Sequence, residues 1–258
     1  MNNIVYGFHN INYFLNVKKE LIDIFFLYKN INIKENLKLK VILNKINYLN
    51  IPIKFVNKKY ITNLIGEKLK KNNQNFCIKI KNNISYSFDK IKLLNFINNN
   101  NNKKLFIILE NIKDSRNLGS CIRNADAAGI NIVLITKKNS SSLNNYGTNI
   151  SSSGAINNLN IMKFNDIKYI LNIFKKNKIK IVSTSDKSNN IIYNNNLKLP
   201  IVYIFGSEDK GITEISKKYS DLIVKIPTYG YINSINVSVA VGICLFESIR
   251  QTFFINKF

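Results

Sequence analysis

Residues 227–251 read PTYGYINSINVSVAVGICLFESIRQ. A turn bounded by Pro227 and Gly230 leads into short polar residues, and the run from Val237 to Phe246 that follows is apolar on every side. A helix that is apolar all round is buried. The pattern therefore predicts a loop that feeds the N-terminus of a buried helix, with Ser234 or Asn236 as the N-cap. Polar groups at the mouth of such a helix have a rigid support, as a functional site requires.

The composition of the whole chain is strongly biased. Its 258 residues include 46 Asn, 45 Ile and 35 Lys, against 3 Arg, which is typical of A- and T-rich codons. In this background, Arg116, Arg123 and Arg250 indicate positions where lysine does not suffice. The formal net charge of +23 favours a polyanionic partner such as nucleic acid. A basic surface that serves only solubility is the alternative, since the codon bias itself supplies lysines.

Several classes of chemistry are excluded by residues that occur rarely. Cys77, Cys121 and Cys244 show no CxxC spacing, which indicates neither a zinc site nor a disulfide framework. His9 is the single histidine, so a Ser-His-Asp triad is excluded; it is predicted to be a surface or packing residue near a helix start. No acidic cluster suggests a metal, no apolar run reaches membrane-spanning length, and no secretory signal is visible. Together these features predict a cytoplasmic protein without a metal or a membrane partner.

The first part of the chain has mixed α/β patterning. Apolar spacing predicts helices at 9–16 and 37–49 and strands at 22–27, 53–56 and 76–80. The segment 82–102 is rich in asparagine, so it predicts a linker with one helical turn around 91–97. The predicted domains are therefore 1–81 and 103–258, joined by this linker.

Strand and helix patterns alternate in the second part. Strands are predicted at 105–109, 131–135, 180–184, 201–205 and 221–226, and helices at 118–128, 166–176, 212–219 and 237–254. This alternation predicts a mostly parallel sheet with helices on both faces. Ligands of such sheets bind at the carboxyl ends of the strands. The loops at 110–117, 206–211 and 227–235 are therefore the candidate site.

The first two loops carry separate signals. Asn117 suits either an N-cap or a functional role. Arg123, retained where lysine is abundant, favours a bidentate contact with phosphate over a structural ion pair. Gly206 and Gly211 let backbone approach a ligand, and Glu208 between them is placed to accept hydrogen bonds. The spacing matches neither a dinucleotide-binding motif nor a P-loop.

In this order and spacing, the three loops resemble the SpoU (TrmH-like) class of RNA ribose 2′-O-methyltransferases, within the SPOUT superfamily. The matching motifs are Asn-Leu-Gly-x-x-x-Arg at 117–123, Gly-x-Glu-x-x-Gly at 206–211 and Ile-Pro-x-x-Gly-x-x-x-Ser-x-Asn-Val-Ser-Val-Ala at 226–240. The resemblance covers 103–258. The opening Val-Tyr-Gly-Phe-His at 5–9 also looks like the start of the small RNA-binding domain found in rRNA-modifying members of that class.

The resemblance implies an α/β fold: a C-terminal SPOUT domain with a mostly parallel sheet and a deep trefoil knot, and a small N-terminal α/β (L30e-like) RNA-binding domain. It implies a homodimer with its sites near the subunit interface. S-adenosylmethionine is expected to lie bent in the knot, against the backbone of Gly206, Ile226 and Ile235. The residues that fall on the family's catalytic positions are Asn117, Arg123, Glu208, Ser234 and Asn236.

The implied activity is S-adenosylmethionine-dependent methylation of a ribose 2′-hydroxyl in RNA, with a guanosine of 23S rRNA as the expected target. The same chemistry on tRNA and a non-catalytic RNA-binding protein with this fold are the alternatives. Since a guanidinium stays protonated in proteins, Arg123 is predicted to clamp the target phosphate rather than act as a base. Asp209, Asn233 and Ile235 depart from the usual pattern, and Asp209 places a negative charge beside a site meant to meet RNA.

Overall fold

A computed structural model describes residues 4–33, 35–65, 75–81, 86–99, 104–130 and 132–254. The chain divides into two compact units, Met1–Ser85 and Tyr86–Phe258.

The first unit is an α/β unit whose described strands form one sheet in the order β1-β4-β2-β3. Strand β4 is antiparallel to both β1 and β2, and β2 is parallel to β3. Its helices and strands are, in chain order, β1 (Ile4–Tyr6), α1 (Phe8–Val17), β2 (Ile22–Tyr28), α2 (Leu37–Tyr48), β3 (Ile53–Val56), α3 (Lys58–Ile65) and β4 (Phe76–Ile80). The predicted strands at 53–56 and 76–80 are confirmed to the residue, whereas β1 and α3 were not predicted. The prediction for the His9 side chain falls outside what the structure describes.

The second unit contains a sheet in which every described strand runs parallel, in the order β10-β8-β9-β5-β6-β7. Its elements are α4 (Lys90–Asn98), β5 (Leu105–Leu109), α5 (Ser115–Ala127), β6 (Ile132–Thr136), α6 (Tyr146–Ser151), α7 (Ala155–Asn158), β7 (Asn160–Phe164), α8 (Ile167–Lys176), β8 (Lys180–Thr184), β9 (Ile201–Phe205), α9 (Glu214–Tyr219), β10 (Leu222–Val224) and α10 (Val237–Phe253). The predicted α/β class with a parallel sheet is therefore confirmed.

Two apolar layers cover the faces of this sheet. Helices α5 and α10 contribute to one layer, in which Leu118, Cys121, Val241 and Cys244 are fully buried. Helix α8 contributes to the other layer, together with α4. The central strands β5 and β9 are buried along their whole length, as continuous apolar strands of a parallel sheet are.

The helical turn predicted around 91–97 is confirmed as part of a longer helix, but the prediction that the segment 82–102 is a linker is wrong for this part. Residues 90–98 form α4, which begins at the N-cap Asp89 and buries Leu93 and Ile97 in the second apolar layer. These two side chains are one turn apart on one face, so a short helix rich in lysine and asparagine still has a buried stripe. The chain accordingly divides after Ser85. Residues 82–85 and 100–102 lie outside the described part of the predicted linker.

Candidate active site

The three candidate loops lie at one edge of the parallel sheet. The first follows β5 and leads into α5, the second follows β9, and the third follows β10 and leads into α10. Strands β5 and β9 are neighbours, with Leu109 opposite Phe205 at their carboxyl ends. Because parallel strands all end at the same edge, residues remote in sequence meet there.

Hydrogen bonds join three of the predicted catalytic residues. The amide Nδ2 of Asn236 donates to Oδ1 of Asn117 at 2.9 Å. The amide Nδ2 of Asn117 in turn donates to Oε1 of Glu208 at 2.5 Å. One residue from each loop therefore contributes to a continuous chain, Asn236–Asn117–Glu208, which we call the polar relay. The Glu208 side chain is exposed, so its second oxygen is available to accept a hydrogen bond from a substrate hydroxyl.

The polar relay is held by helix caps. Asp114 is the N-cap of α5 and accepts from the backbone N–H of Asn117 at 2.7 Å, which rules out the capping role that the sequence left open for Asn117. Because Asp114 performs the capping, the Asn117 side chain is available for the relay. Asn236 is the N-cap of α10, as predicted, and its Oδ1 accepts from the backbone N–H and the hydroxyl of Ser238.

Two positioning residues were not predicted from the sequence. Asn124 donates through Nδ2 to the backbone oxygen of Ser238 at 2.6 Å, which ties α5 to the first turn of α10. It lies seven residues after Asn117 and so on the same face of α5. This spacing is the only feature of the local sequence that could have indicated its role. Glu110, with 1% of its surface exposed, accepts from the Thr213 N–H at 3.1 Å and the Ser216 hydroxyl at 2.9 Å. It thereby anchors the end of the Glu208 loop to β5.

The structure explains why the second loop has a glycine at position 206 and how it accommodates Asp209. A Cβ added to Gly206 would meet the backbone of Gly211 and Ile212, because the loop folds back on itself there. The backbone N–H of Gly211 donates to the Ser207 carbonyl at 2.8 Å across this turn. Asp209 forms an exposed ion pair with Lys113 at 3.3 Å, so its charge is partly compensated within the protein.

The Cys121 thiol lies beneath the relay and takes no part in it. Burial, and then the negative charge of Glu208, raise the pKa of Cys121 well above its ordinary value. A thiol that stays protonated is a poor nucleophile. The site therefore offers no cysteine for covalent catalysis at this position.

Arg123 and Ser234 are not joined to the polar relay. Both side chains are exposed and form no hydrogen bond or ion pair with any residue that the structure describes. Arg123 lies six residues after Asn117, which places it roughly 120° around α5 from the relay. The structure therefore brings together Asn117, Glu208 and Asn236, and leaves Arg123 and Ser234 open to other partners.

The segments expected to contact the cofactor are partly buried and rich in uncommitted backbone groups. Gly206, Ile226 and Ile235 are half-buried, and Ile226 packs against the apolar layer that contains α10. Along residues 227–235 no backbone group forms a hydrogen bond with any described part of the protein. Residues 229–234 of this loop are exposed, so their backbone groups are open to a ligand that is read by main-chain atoms.

The described residues contain no group of His, Cys, Asp and Glu side chains that could hold a metal ion. None of their helices is both long enough and apolar enough to cross a bilayer.

A parallel α/β sheet with these three loops defines a methylase of the SpoU type. The model of the family described as "SpoU rRNA Methylase family" matches residues 104–246. The match spans more than half of the chain, so the chain belongs to the SpoU rRNA methylase family.

Individual relatives extend the likeness to the first unit. The 23S rRNA (guanosine-2′-O-)-methyltransferase RlmB of Blochmanniella floridana is 32% identical, over 100% of this chain and 98% of that protein. The SpoU methyltransferase AviRb from Streptomyces viridochromogenes, in complex with the cofactor AdoMet, superposes with a TM-score of 0.77 at 18% identity, over 96% of this chain and 89% of that one. The A. aeolicus TrmH/SpoU tRNA modifying enzyme gives a TM-score of 0.52 at 26% identity, over 62% of this chain and 81% of that one.

Proposed function

We propose that this protein transfers a methyl group from S-adenosylmethionine to the ribose 2′-hydroxyl of a guanosine in 23S rRNA. The observation that carries this proposal is the likeness to the B. floridana relative, because it spans both units at 32% identity. The likeness to the tRNA modifying enzyme covers only 62% of the chain. This difference favours rRNA over tRNA as the substrate.

The cofactor would be held by the backbone of Gly206, Ile226 and Ile235. The uncommitted main-chain groups of residues 227–235 support this assignment, since adenine and the methionine carboxylate both need donors and acceptors. When bound, S-adenosylmethionine supplies a methyl group on a sulfonium, so the protein needs alignment rather than a covalent intermediate.

The polar relay would orient the ribose. Glu208 can accept a hydrogen bond from a ribose hydroxyl, while Asn117 fixes the direction of the carboxylate. Asn236 and Ser234, at the mouth of α10, would hold the nucleotide and the cofactor. Arg123 would bind the target phosphate through its planar fork and keep its own proton, and that phosphate or a water would take the proton of the hydroxyl.

We further propose that the active form is a homodimer. Helix α10 exposes apolar side chains at Val239 (51% exposed), Phe246 (49%) and Phe253 (38%), with half-buried Ile243 between them. These positions are four, three and seven residues apart, which places them on one face of the helix as a stripe. Light scattering tests this directly: we expect Phe246→Glu to yield a monomer, and a wild-type protein that is monomeric at micromolar concentration would overturn the dimer.

The first unit is proposed to bind RNA. On the edge strand β3 the Phe55 side chain is exposed, and the Lys54 ammonium lies over the Tyr60 ring at 6.0 Å from its centroid. Cationic and aromatic groups side by side are what bases and phosphates bind. We expect Lys54→Glu to weaken binding of an rRNA fragment without changing cofactor affinity, as measured by filter binding and calorimetry.

We also infer a cytoplasmic location, which the cysteines support. Cys77, Cys121 and Cys244 are free and buried, and burial raises the pKa of Cys77 to about 12. Such thiols are typical of proteins in reducing compartments.

The activity is tested with methyl-labelled S-adenosylmethionine and an unmodified 23S rRNA transcript. We expect label in the rRNA, recovered as 2′-O-methylguanosine after nuclease digestion. Label in a tRNA transcript but not in rRNA would overturn the substrate, and a folded protein that binds no S-adenosylmethionine would overturn the activity.

The role of the guanidinium is tested by Arg123→Lys, with Arg123→Gln as the comparison, because glutamine removes the charge as well as the fork. The lysine at 123 keeps the charge but loses the bidentate geometry, so RNA binding should persist while most turnover is lost. Arg123→Gln should weaken RNA binding as well as turnover. Near-normal turnover in Arg123→Lys would remove the need for a fork.

A further inference from the structure

A cavity lies at the same edge of the parallel sheet as the polar relay, but away from it. It has a volume of about 500 Å³ and opens beside β7. Lys137 directly follows β6, Lys163 lies near the end of β7, and Asp166 and Tyr169 begin α8. Residues 86–88 form its remaining wall: the Lys163 N–H donates to the Tyr86 carbonyl at 2.6 Å, and Ser87 pairs with Lys163. A volume of this size suits a ligand no larger than a nucleotide.

The cavity carries uncompensated positive charge. The ammonium groups of Lys137 and Lys163 form no hydrogen bond or ion pair with any residue that the structure describes. Burial, and then the charge of Lys137, lower the pKa of Lys163. The carboxylate in the lining, Asp166, is already engaged as the N-cap of α8, where it accepts from the Tyr169 N–H at 3.1 Å. Two neighbouring cations without a protein partner are stabilised by an anion such as phosphate.

Aromatic rings stand beside these lysines. Tyr169 is 43% exposed and lines the cavity, and its ring makes an edge-to-face contact with Phe88 at 6.1 Å between centroids. This contact fixes the orientation of the Tyr169 ring. Tyr86, half-buried, lines the cavity as well, and burial raises its pKa to about 12, so it stays a neutral hydrogen-bond donor. An exposed ring beside a cation offers both of the contacts that single-stranded nucleic acid uses, stacking for the base and charge for the phosphate.

We propose that this cavity binds one nucleotide of single-stranded RNA, with its phosphate between Lys137 and Lys163 and its base against Tyr169. The inference rests on the proposed function and extends it, since it adds a contact for a nucleotide next to the methylated one. In the strand order β9-β5-β6-β7, the cavity lies two strands from β5. At about 4.8 Å per strand, this is roughly 10 Å from the end of the strand that leads to the polar relay. The strand of RNA would therefore run along the carboxyl edge of the sheet from the relay to the cavity.

The test uses the full chain and a fluorescent single-stranded RNA of about a dozen nucleotides, long enough to fill both sites. Binding is measured over a range of salt concentrations for the wild type, Lys137→Gln/Lys163→Gln, Tyr169→Ala and Tyr169→Phe. The matched control is Lys176→Gln/Lys198→Gln, which removes the same charge from exposed positions at the opposite edge of the sheet, at the end of α8 and before β9. Calorimetry with S-adenosylmethionine and thermal melting confirm that each variant is folded.

Replacing the two pocket lysines by glutamine should reduce the slope of log affinity against log salt by about 0.7 for each lysine, the value for single strands. Loss of stacking in Tyr169→Ala should weaken binding by roughly 5- to 150-fold, and Tyr169→Phe should retain it because the hydroxyl is not needed for stacking. The control pair should change affinity less than the pocket pair. Equal losses in both lysine pairs would show a nonspecific charge effect and overturn the proposal. The proposal would also be overturned if guanosine monophosphate competed with the RNA while the pocket variants bound the RNA as well as the wild type does.

The two proposals fail in different ways. RNA binding is measured without turnover, so the pocket is tested even where no methyl transfer occurs. A wild type that methylates rRNA, with pocket variants that bind and methylate it equally well, would overturn the pocket and leave the proposed function intact.

Discussion

Replacing Gly206 by alanine tests how the second loop positions Glu208. The added Cβ would meet the backbone carbonyl carbon and oxygen of Gly211 and the nitrogen of Ile212, and no flexible side chain can move aside. Overpacking of this kind costs about 1–3 kcal/mol. For a unit of this size, each kcal/mol lowers the Tm by roughly 2–4 °C, so we expect a decrease of about 2–12 °C. Glu208 follows two residues later, and a misplacement of about 1 Å near reacting groups can cost roughly 100-fold in rate.

The assay combines thermal melting by circular dichroism with methyl transfer at saturating cofactor and RNA. Gly230→Ala is the matched control, because a Cβ there meets nothing within 4 Å. We expect this control to change stability by no more than about 0.5 kcal/mol. If Gly206→Ala melted like Gly230→Ala and turned over like the wild type, the close approach of the two halves of the loop would not exist, and the explanation given for this glycine would be refuted.

Three further outcomes are expected. Asn236→Ala removes both the cap of α10 and the donor to Asn117; it should destabilise the protein by about 1 kcal/mol and lower turnover, and Asn236→Asp, which keeps the cap, should restore stability but not turnover. Glu247 accepts from Arg250 and Gln251 and its pKa is lowered chiefly by the Arg250 hydrogen bonds. Its contribution is present above the pKa of the unfolded state and is lost as the pH falls through the folded value, so the Tm difference between wild type and Glu247→Gln should shrink on acidification. Burial raises the pKa of Cys244 far above neutrality, so iodoacetamide should leave this thiol unmodified at neutral pH until denaturant is added, and rapid alkylation of the native protein would contradict its burial.

Strands buried on both faces were predicted most accurately. Leu105–Leu109 and Ile201–Phe205 are confirmed to the residue because a central parallel strand must be continuously apolar. Strand β7, Asn160–Phe164, was missed. Its sequence mixes Asn and Lys with apolar residues, because it lies at the side of the sheet where residues 86–88 and solvent meet it.

The short helices were harder to predict because their burial depends on packing against elements that are distant in sequence. Helix α4 has only Leu93 and Ile97 fully inside, and the surrounding lysines and asparagines reproduce the composition of a linker. The two roles left open for Asn117 have a local cause. Asp114, Ser115 and Asn117 are all favoured caps, and propensity alone does not rank them.

The predicted site was found in part. Asn117, Glu208 and Asn236 are brought together because their loops all follow strands that end at the same edge of the sheet, which alternation of strands and helices predicts. Glu110 and Asn124 were missed because their partners are distant in sequence. The catalytic and cofactor-binding roles of the individual residues stay predictions, as do the knot and the L30e-like character of the first unit.

The polar relay joins positions 117, 208 and 236. In the sheet beneath it, the central strands β5 and β9 pair residue 105 with residue 201. Contacts between such distant positions form late and slowly during folding. During synthesis, a ribosome must therefore release nearly the whole polypeptide before any reactive centre exists. An incomplete product that ends before α10 would lack Asn236 and could not modify RNA, so the enzyme becomes competent only as a finished molecule.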